Sequence, residues 1–60
     1  MSAGDTDAER AAALYEQAVE ADAQHDYWRA YELVQQSLEL REDDGARALY
    51  KRLLATVGPA

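Results

Sequence analysis

Apolar residues recur three to four positions apart in three segments of this chain, and this spacing restricts the secondary structure it can form. The last segment has the clearest pattern, with apolar residues at i, i+3, i+4, i+7, i+8 and i+11: Ala46, Leu49, Tyr50, Leu53, Leu54 and Val57. Such a period places one apolar stripe along an α-helix. Short polar breaks at 24–26 and 42–45 separate the segments. The sequence therefore predicts an all-α fold, a three-helix antiparallel bundle with helices over 7–24, 27–41 and 46–57.

Capping residues are expected at the start of each helix. Thr6 and Glu9 have the spacing of a capping box, in which each side chain bonds the backbone N–H of the other residue, so we expect the first helix to start just after Thr6. Asp26 is a favourable N-cap for the second helix, and either Asp43 or Asp44 can cap the third.

The third helix has a clear stop signal, because Gly58 and Pro59 follow its last apolar residue. We interpret residues 1–60 as a single domain with a flexible N-terminus at 1–6 and a C-terminal tail at 58–60. The chain has no cysteine, which excludes disulfides and thiolate metal sites. A single core of this size rarely supplies more than ~3 to 5 kcal/mol, so a second chain is a reasonable source of extra stability.

The charge is strongly acidic and unevenly distributed. Twelve acidic and six basic side chains give a net charge of −6, which opposes binding to nucleic acid or to an anionic membrane surface. The sequence has no apolar run long enough for a membrane span, so we expect a cytoplasmic protein. Residues 45–60 contain three basic side chains and no acid (+3), whereas 1–44 carry −9 (3 − 12). The third helix therefore either complements the acidic helices internally or docks on an acidic partner.

No catalytic, cofactor-binding or metal-binding residues are expected. If Gly45 were the glycine of an EF-hand loop, the first ligand would be Leu40 and the last would be Lys51, so the acidic break does not fit that motif. His25 has no nucleophile or phosphate loop in the sequence to act with, and a single histidine cannot form a histidine-rich zinc site. We also expect a domain this thin to lack a substrate cleft of ~300 Å³.

The first and third helices share an internal repeat. The sequence Ala-x-Ala-Leu-Tyr, followed by two polar and two apolar residues, occurs at 11–19 and again at 46–54, an offset of 35 residues (49 − 14). A period near 34 residues is typical of helical-hairpin repeats. Residues 11–41 resemble a tetratricopeptide repeat, a protein-binding helical hairpin, and the third helix would be a following half-repeat. The resemblance is carried by Ala18, by Asp26-Tyr27-Trp28-Arg29-Ala30 and by Ser37-Leu38-Glu39-Leu40.

A second resemblance is kept as an alternative. His25 stands where the tetratricopeptide repeat usually has glycine, and Glu42 stands near its helix-ending proline. The run Ala18-Val19-Glu20-Ala21-Asp22 and the later Tyr27, Ala30 and Tyr31 also resemble the microtubule-interacting and trafficking domain, a three-helix bundle that binds partner helices in its grooves. The third helix here is short for that family.

These observations predict a non-enzymatic protein-interaction module that self-associates, as a homo-oligomer, or docks on another protein through helices 1 and 3. Trp28 is included because it lies among polar residues of the second helix, where it either anchors an interface or folds over the end of the first helix or over the His25 turn. We expect Leu53, Leu54 and Val57 to remain partly exposed, since no fourth helix covers them. The candidate partner-binding residues are Tyr15, Val19, Trp28, Arg47, Tyr50, Lys51, Leu54 and Val57.

Two other functions remain open at the sequence level. The chain could be a purely structural oligomerisation or capping segment of a larger assembly, with no separate ligand. It could also be a small acid–base enzyme, which would need a pocket near His25, and the residues favour this reading least.

Overall fold

The computed structural model describes residues 3–58, with side chains from residue 6 onward, and these residues form a three-helix bundle with no strand. The helices are α1 (Ala3–Ala23), α2 (Tyr27–Leu40) and α3 (Asp44–Val57). Helix α2 lies in the middle and packs against both neighbours, whereas α1 and α3 touch each other only weakly. The predicted all-α bundle is confirmed.

Helix α1 begins earlier than the sequence predicts. Thr6 lies inside the helix, three residues after Ala3, so it is not the N-cap and the predicted capping box is wrong. No proline precedes it in 3–6, and the backbone therefore continues in helical conformation through the expected start. Residues 1–2 and 59–60, including Pro59 of the predicted stop signal, lie outside the described residues.

The turn between α1 and α2 is a Schellman motif centred on His25. The backbone N–H of His25 donates to the carbonyl of Asp22 at 3.0 Å, and that of Asp26 donates to the carbonyl of Ala21 at 2.9 Å. His25 has a φ of 65°, the left-handed region that glycine adopts more easily. The side chain of Asp26 makes no capping hydrogen bond to α2, so its predicted role as a side-chain cap is wrong. The backbone N–H of Asp26 is already part of the motif that ends α1.

In the turn between α2 and α3, by contrast, a side chain caps the following helix. Asp43 has extended backbone, and its carboxylate accepts a hydrogen bond from the backbone N–H of Ala46 at 3.1 Å, which selects Asp43 over Asp44 as the N-cap. At the other end, the N–H of Gly58 donates to the carbonyl of Leu54 at 2.7 Å. A Cβ at position 58 would overlap that carbonyl oxygen, which explains why a glycine stands at the end of α3.

Small residues let the helices approach closely in the core. Ala18, Ala30 and Ala46, one from each helix, are fully buried. The buried hydroxyl of Ser37 donates to the carbonyl of Ala11 at 2.8 Å, which satisfies its polar atom and ties α2 to α1.

The largest fully buried side chains are those of Leu53 and Val34. Leu53 lies at the centre of the α3 stripe, so the expectation that it stays exposed is wrong. Leu54, by contrast, is 39% exposed and Val57 is half-buried. No helix within residues 3–58 has the length and apolar character that a membrane span requires.

Candidate protein-binding surface

Three aromatic rings form a continuous stack across α2 and α3. The Trp28 and Tyr31 rings, one helical turn apart on α2, have centroids 5.8 Å apart and planes inclined by 27°. Tyr31 stacks in turn on Tyr50 of α3, at 5.5 Å and 18°. Stacked rings on two helices hold each other in fixed orientations. We call the surface formed by Trp28, Tyr31, Tyr50 and Leu54 the α2/α3 face.

An ion pair extends the stack at the N-terminal end of α3. The guanidinium of Arg47 lies 5.6 Å from the ring centroid of Tyr50, a cation–π distance. Arg47 also donates two hydrogen bonds to the Glu42 carboxylate, at 2.9 and 2.6 Å. This hydrogen bonding lowers the pKa of Glu42 and raises that of Arg47. The Glu42 carboxylate and the Tyr50 ring therefore both fix the position of the Arg47 guanidinium.

The two tyrosines of the stack are coupled through their hydroxyl groups. The pKa of Tyr31 is raised above its ordinary value of 10.0, first because of its side-chain hydrogen bond with Tyr50 and then because of desolvation and the nearby Tyr50 charge. Tyr31 remains neutral at physiological pH, since its shift is upward. The stack thus offers a neutral Tyr31 hydroxyl group.

The α2/α3 face is open to solvent. Trp28 is 64% exposed and Leu54 is 39% exposed, and these are two of the three large exposed apolar side chains among the described residues. On α3, the 3–4 spacing of Arg47, Tyr50 and Leu54 places them on one stripe. Lys51 adjoins this stripe, because it lies four residues after Arg47. Exposed aromatic and arginine side chains are the types that most often anchor protein interfaces.

Tyr15 and Val19 lie on a different side of the bundle. The Tyr15 hydroxyl faces the first turn of α3, 3.5 Å from where a Cβ on Gly45 would be. Gly45 precedes Tyr50 by five residues, which corresponds to about 140° around the helix. Val19, 43% exposed, is one turn after Tyr15 on α1. The structure therefore separates the equivalent tyrosines of the internal repeat instead of placing them together.

The basic side chains of α3 are largely used inside the molecule. Arg52 donates to Asp22 of α1 at 2.6 Å, and this hydrogen bond raises the pKa of Arg52. Arg47 is paired with Glu42, whereas Lys51 makes no ion pair within the described residues. The charge segregation seen in the sequence is therefore mainly internal complementarity, with Lys51 as the exposed remainder.

A shallow groove of about 400 Å³ lies where the three helices meet near the Asp43 turn. This volume exceeds the expected limit for a domain of this thickness, so that expectation is wrong. The lining combines four alanines, Ala8, Ala11, Ala12 and Ala46, with the polar side chains of Tyr15, Glu16, Ser37, Arg41 and Asp43. Ser37 is occupied by its bond to Ala11, and the groove has no histidine or cysteine. His25 lies in the opposite turn.

Among the side chains that the structure describes, no group of three or more His, Asp or Glu residues is placed to hold a metal ion. One member of the α2/α3 face, Tyr31, is not among the partner-binding residues that the sequence predicts. Glu42, which binds Arg47 beside the face, is not among them either. The i, i+3 spacing of Trp28 and Tyr31 is the one sequence signal that points to the stack.

Comparisons with protein-family models, curated proteins and solved structures found no significant match.

Proposed function

We propose that this chain is a non-enzymatic protein-interaction module whose binding surface is the α2/α3 face. The observation that carries the proposal is the exposed Trp28 ring, stacked on Tyr31 and, through it, on Tyr50. A tryptophan that only completed a core would be covered, yet this side chain is 64% exposed. Large aromatic side chains of this kind supply much of the binding energy of protein interfaces.

Preorganisation strengthens this interpretation. Ordering a flexible side chain on binding costs about 0.5 to 1.5 kcal/mol, and rings already held by stacking avoid much of that cost. Arg47, fixed by Glu42 and Tyr50, adds a charged group in a defined position at the end of the stack. The α2/α3 face therefore presents rigid apolar rings beside an oriented cation, a combination suited to a protein surface.

The surface differs from the one that the sequence suggests. Trp28, Arg47, Tyr50, Lys51 and Leu54 remain in the proposed site or beside it. The α1 side, with Tyr15 and Val19, is not included because a single exposed valine offers little apolar area there. The proposal thus uses α2 and α3 in place of α1 and α3.

A tetratricopeptide-like arrangement is part of the same proposal. Helix α2 packs between α1 and α3, and Ala18 is fully buried, as the resemblance implies. The positive φ of His25 also suits the position where that family usually has glycine. In an array of such hairpins a further helix would pack beside the last pair.

Catalysis is the least supported alternative. Catalysis by an acid–base pair requires two titratable groups aimed at a common position, and of the two acids that line the groove, Glu16 and Asp43, the second is already bonded to the backbone N–H of Ala46 as the cap of α3. His25 contacts the Tyr27 ring, with centroids 5.8 Å apart, in an exposed turn outside the groove.

Site-specific photocrosslinking tests the proposed function. A photoreactive phenylalanine analogue is placed at Trp28 in one sample and at the exposed Ala13 of α1 in another, in extracts of the producing cells. We expect a defined protein adduct, mapped by mass spectrometry, at Trp28 and not at Ala13. Leu54→Asp should remove the adduct, because it places a charge in the apolar surface.

The matched control is Ala55→Asp, which adds the same charge to an exposed position of α3 next to Leu54 but on another side of the helix. It should leave the adduct intact. Equal crosslinking at Trp28 and Ala13, or an adduct unaffected by Leu54→Asp in a folded chain, would contradict the proposal.

A further inference from the structure

We propose that the α2/α3 face binds a second copy of this chain about a two-fold axis parallel to α2 and α3, so that α2 of each copy lies on α3 of the other. This inference rests on the proposed function, since it names the occupant of the same surface. It follows from two complementary features of the face, the charges along its edges and the level of its apolar side chains.

The two long edges of the face carry opposite charges. The α2 edge has the exposed Glu32, one turn after Trp28 and on the same side of α2. The α3 edge has Arg47 and Lys51, one turn apart. A two-fold axis parallel to the helices exchanges the edges, so each acidic edge meets a basic edge. A two-fold axis across the helices would instead place like charges together.

The stack between Tyr31 and Tyr50 fixes which residues lie at the same level. Because α2 and α3 are antiparallel, each step forward along α2 matches one step back along α3. Trp28 is then level with Leu53, next to the exposed Leu54. Rotation about an axis parallel to the helices preserves these levels, so Trp28 of one copy meets Leu54 of the second copy, and the reverse contact forms as well.

The same register places Glu32 beside the basic edge, whereas Glu39, further along α2, is level with Glu42, which is bound to Arg47. Glu32 is level with Leu49, midway between Arg47 and Lys51 on the opposite helix. Arg47 already binds Glu42, whereas neither Glu32 nor Lys51 makes an ion pair within the described residues. In the dimer, Glu32 of each copy reaches Lys51 of the second copy. Two reciprocal ion pairs then flank two reciprocal apolar contacts.

An acidic helix of another protein fits this face less well. Lys51 is the one α3 base without an ion pair in the described part of the chain, so a uniformly acidic partner would gain a single new pair. It would also meet Glu32 on the α2 edge. A second copy gains two such pairs and covers both exposed Trp28 side chains.

The area of the α2/α3 face determines the affinity that we expect for the dimer. Each 14-residue helix is about 21 Å long and about 10 Å wide, so the paired helices offer a surface of small-interface size. The net charge of −6 per copy adds a long-range repulsion that salt screens. We therefore expect micromolar association that strengthens at moderate ionic strength.

Charge reversal combined with sedimentation equilibrium tests the dimer. The wild-type chain should be a dimer at high micromolar concentration. Lys51→Glu and Glu32→Lys, both at exposed positions, should each weaken self-association at least tenfold while circular dichroism shows unchanged helix content. An equimolar mixture of the two variants should restore a one-to-one dimer, because both interchain pairs are then again of opposite charge.

The matched control is Arg10→Glu, which changes the net charge by the same amount as Lys51→Glu at an exposed site on α1. It should dimerise like the wild type. A wild-type chain that remains monomeric up to millimolar concentration, or a mixture no tighter than the single variants, would overturn the inference.

The two proposals fail in different ways. A monomeric chain whose Trp28 adduct contains a different protein would refute the dimer and retain the proposed function. A monomeric chain with no specific adduct at Trp28 would refute both.

Discussion

The contact of α2 with α1 and its contact with α3 differ in the size of the side chains that are buried. Among the side chains of α1 that the structure describes, the buried ones are alanines, Ala11, Ala18 and Ala21, and a buried hydrogen bond joins the Ser37 hydroxyl of α2 to the α1 backbone. On α3 the buried side chains include Leu49 and Leu53, and an aromatic stack continues the contact to the surface. The first contact depends on close approach and the second on side-chain volume. Removing atoms should therefore weaken the second contact most, and adding atoms should weaken the first.

Leu53→Ala should have the largest effect, because it removes the largest fully buried side chain of α3. We expect the free energy of unfolding to fall by about 2 to 5 kcal/mol, which is comparable to what a core of this size supplies. Urea denaturation at low protein concentration measures it. Leu54→Ala, at the partly exposed neighbour, is the control and should cost roughly 1 to 2 kcal/mol. Equal losses would mean that α3 is not oriented as described.

Ala18→Leu should have the next largest effect, since no space remains at this fully buried position. Overpacking of a tight core costs about 1 to 3 kcal/mol, and the same denaturation experiment reports it. Ala13→Leu adds the same atoms at an exposed position of α1 and should be nearly neutral. If Ala18→Leu were neutral as well, the α1–α2 contact would not depend on close approach.

Tyr50→Phe should leave the fold intact and change one titration. The ring remains to stack on Tyr31, but the hydroxyl that raises the pKa of Tyr31 is lost. NMR titration of labelled tyrosine should show the pKa of Tyr31 moving down toward 10.0. Tyr27→Phe is the control and should leave this titration unchanged.

The raised pKa of Tyr31 also makes the stability of the protein depend on pH. A pKa raised on folding stabilises the protein below the unfolded value of about 10 and loses that contribution as the pH rises through the folded value. The wild type should therefore lose stability in alkaline solution more steeply than Tyr50→Phe. A Tyr31 titration identical in both proteins would contradict the hydroxyl coupling.

The sequence predicts the helices well because their apolar period is regular. The bounds of α2 and α3 agree with prediction within two residues, and Asp43 caps α3 as one of the two predicted alternatives. The start of α1 was wrong because a capping motif is a local preference that an uninterrupted helix can override. The absent side-chain cap at Asp26 has a similar cause, since the motif that ends α1 already fixes the backbone there.

The candidate surface was only partly predictable. Trp28 is conspicuous in the sequence because it departs from the apolar stripe. The stack of Tyr31 on Tyr50, however, depends on the rotation and register of two helices, which no local pattern specifies. The same rotation decides that Leu53 is buried and Leu54 is exposed, although both fit the apolar stripe.

The two short turns also bear on how the chain reaches this structure. Residues 24–26 and 41–43 join consecutive helices that pack on each other, so the main contacts are between neighbouring segments. Folding rates rise as contacts become more local, and helical domains of this kind fold in microseconds to milliseconds. Monomer folding should therefore finish long before two chains meet. Any slower phase whose rate depends on protein concentration would report association on the α2/α3 face.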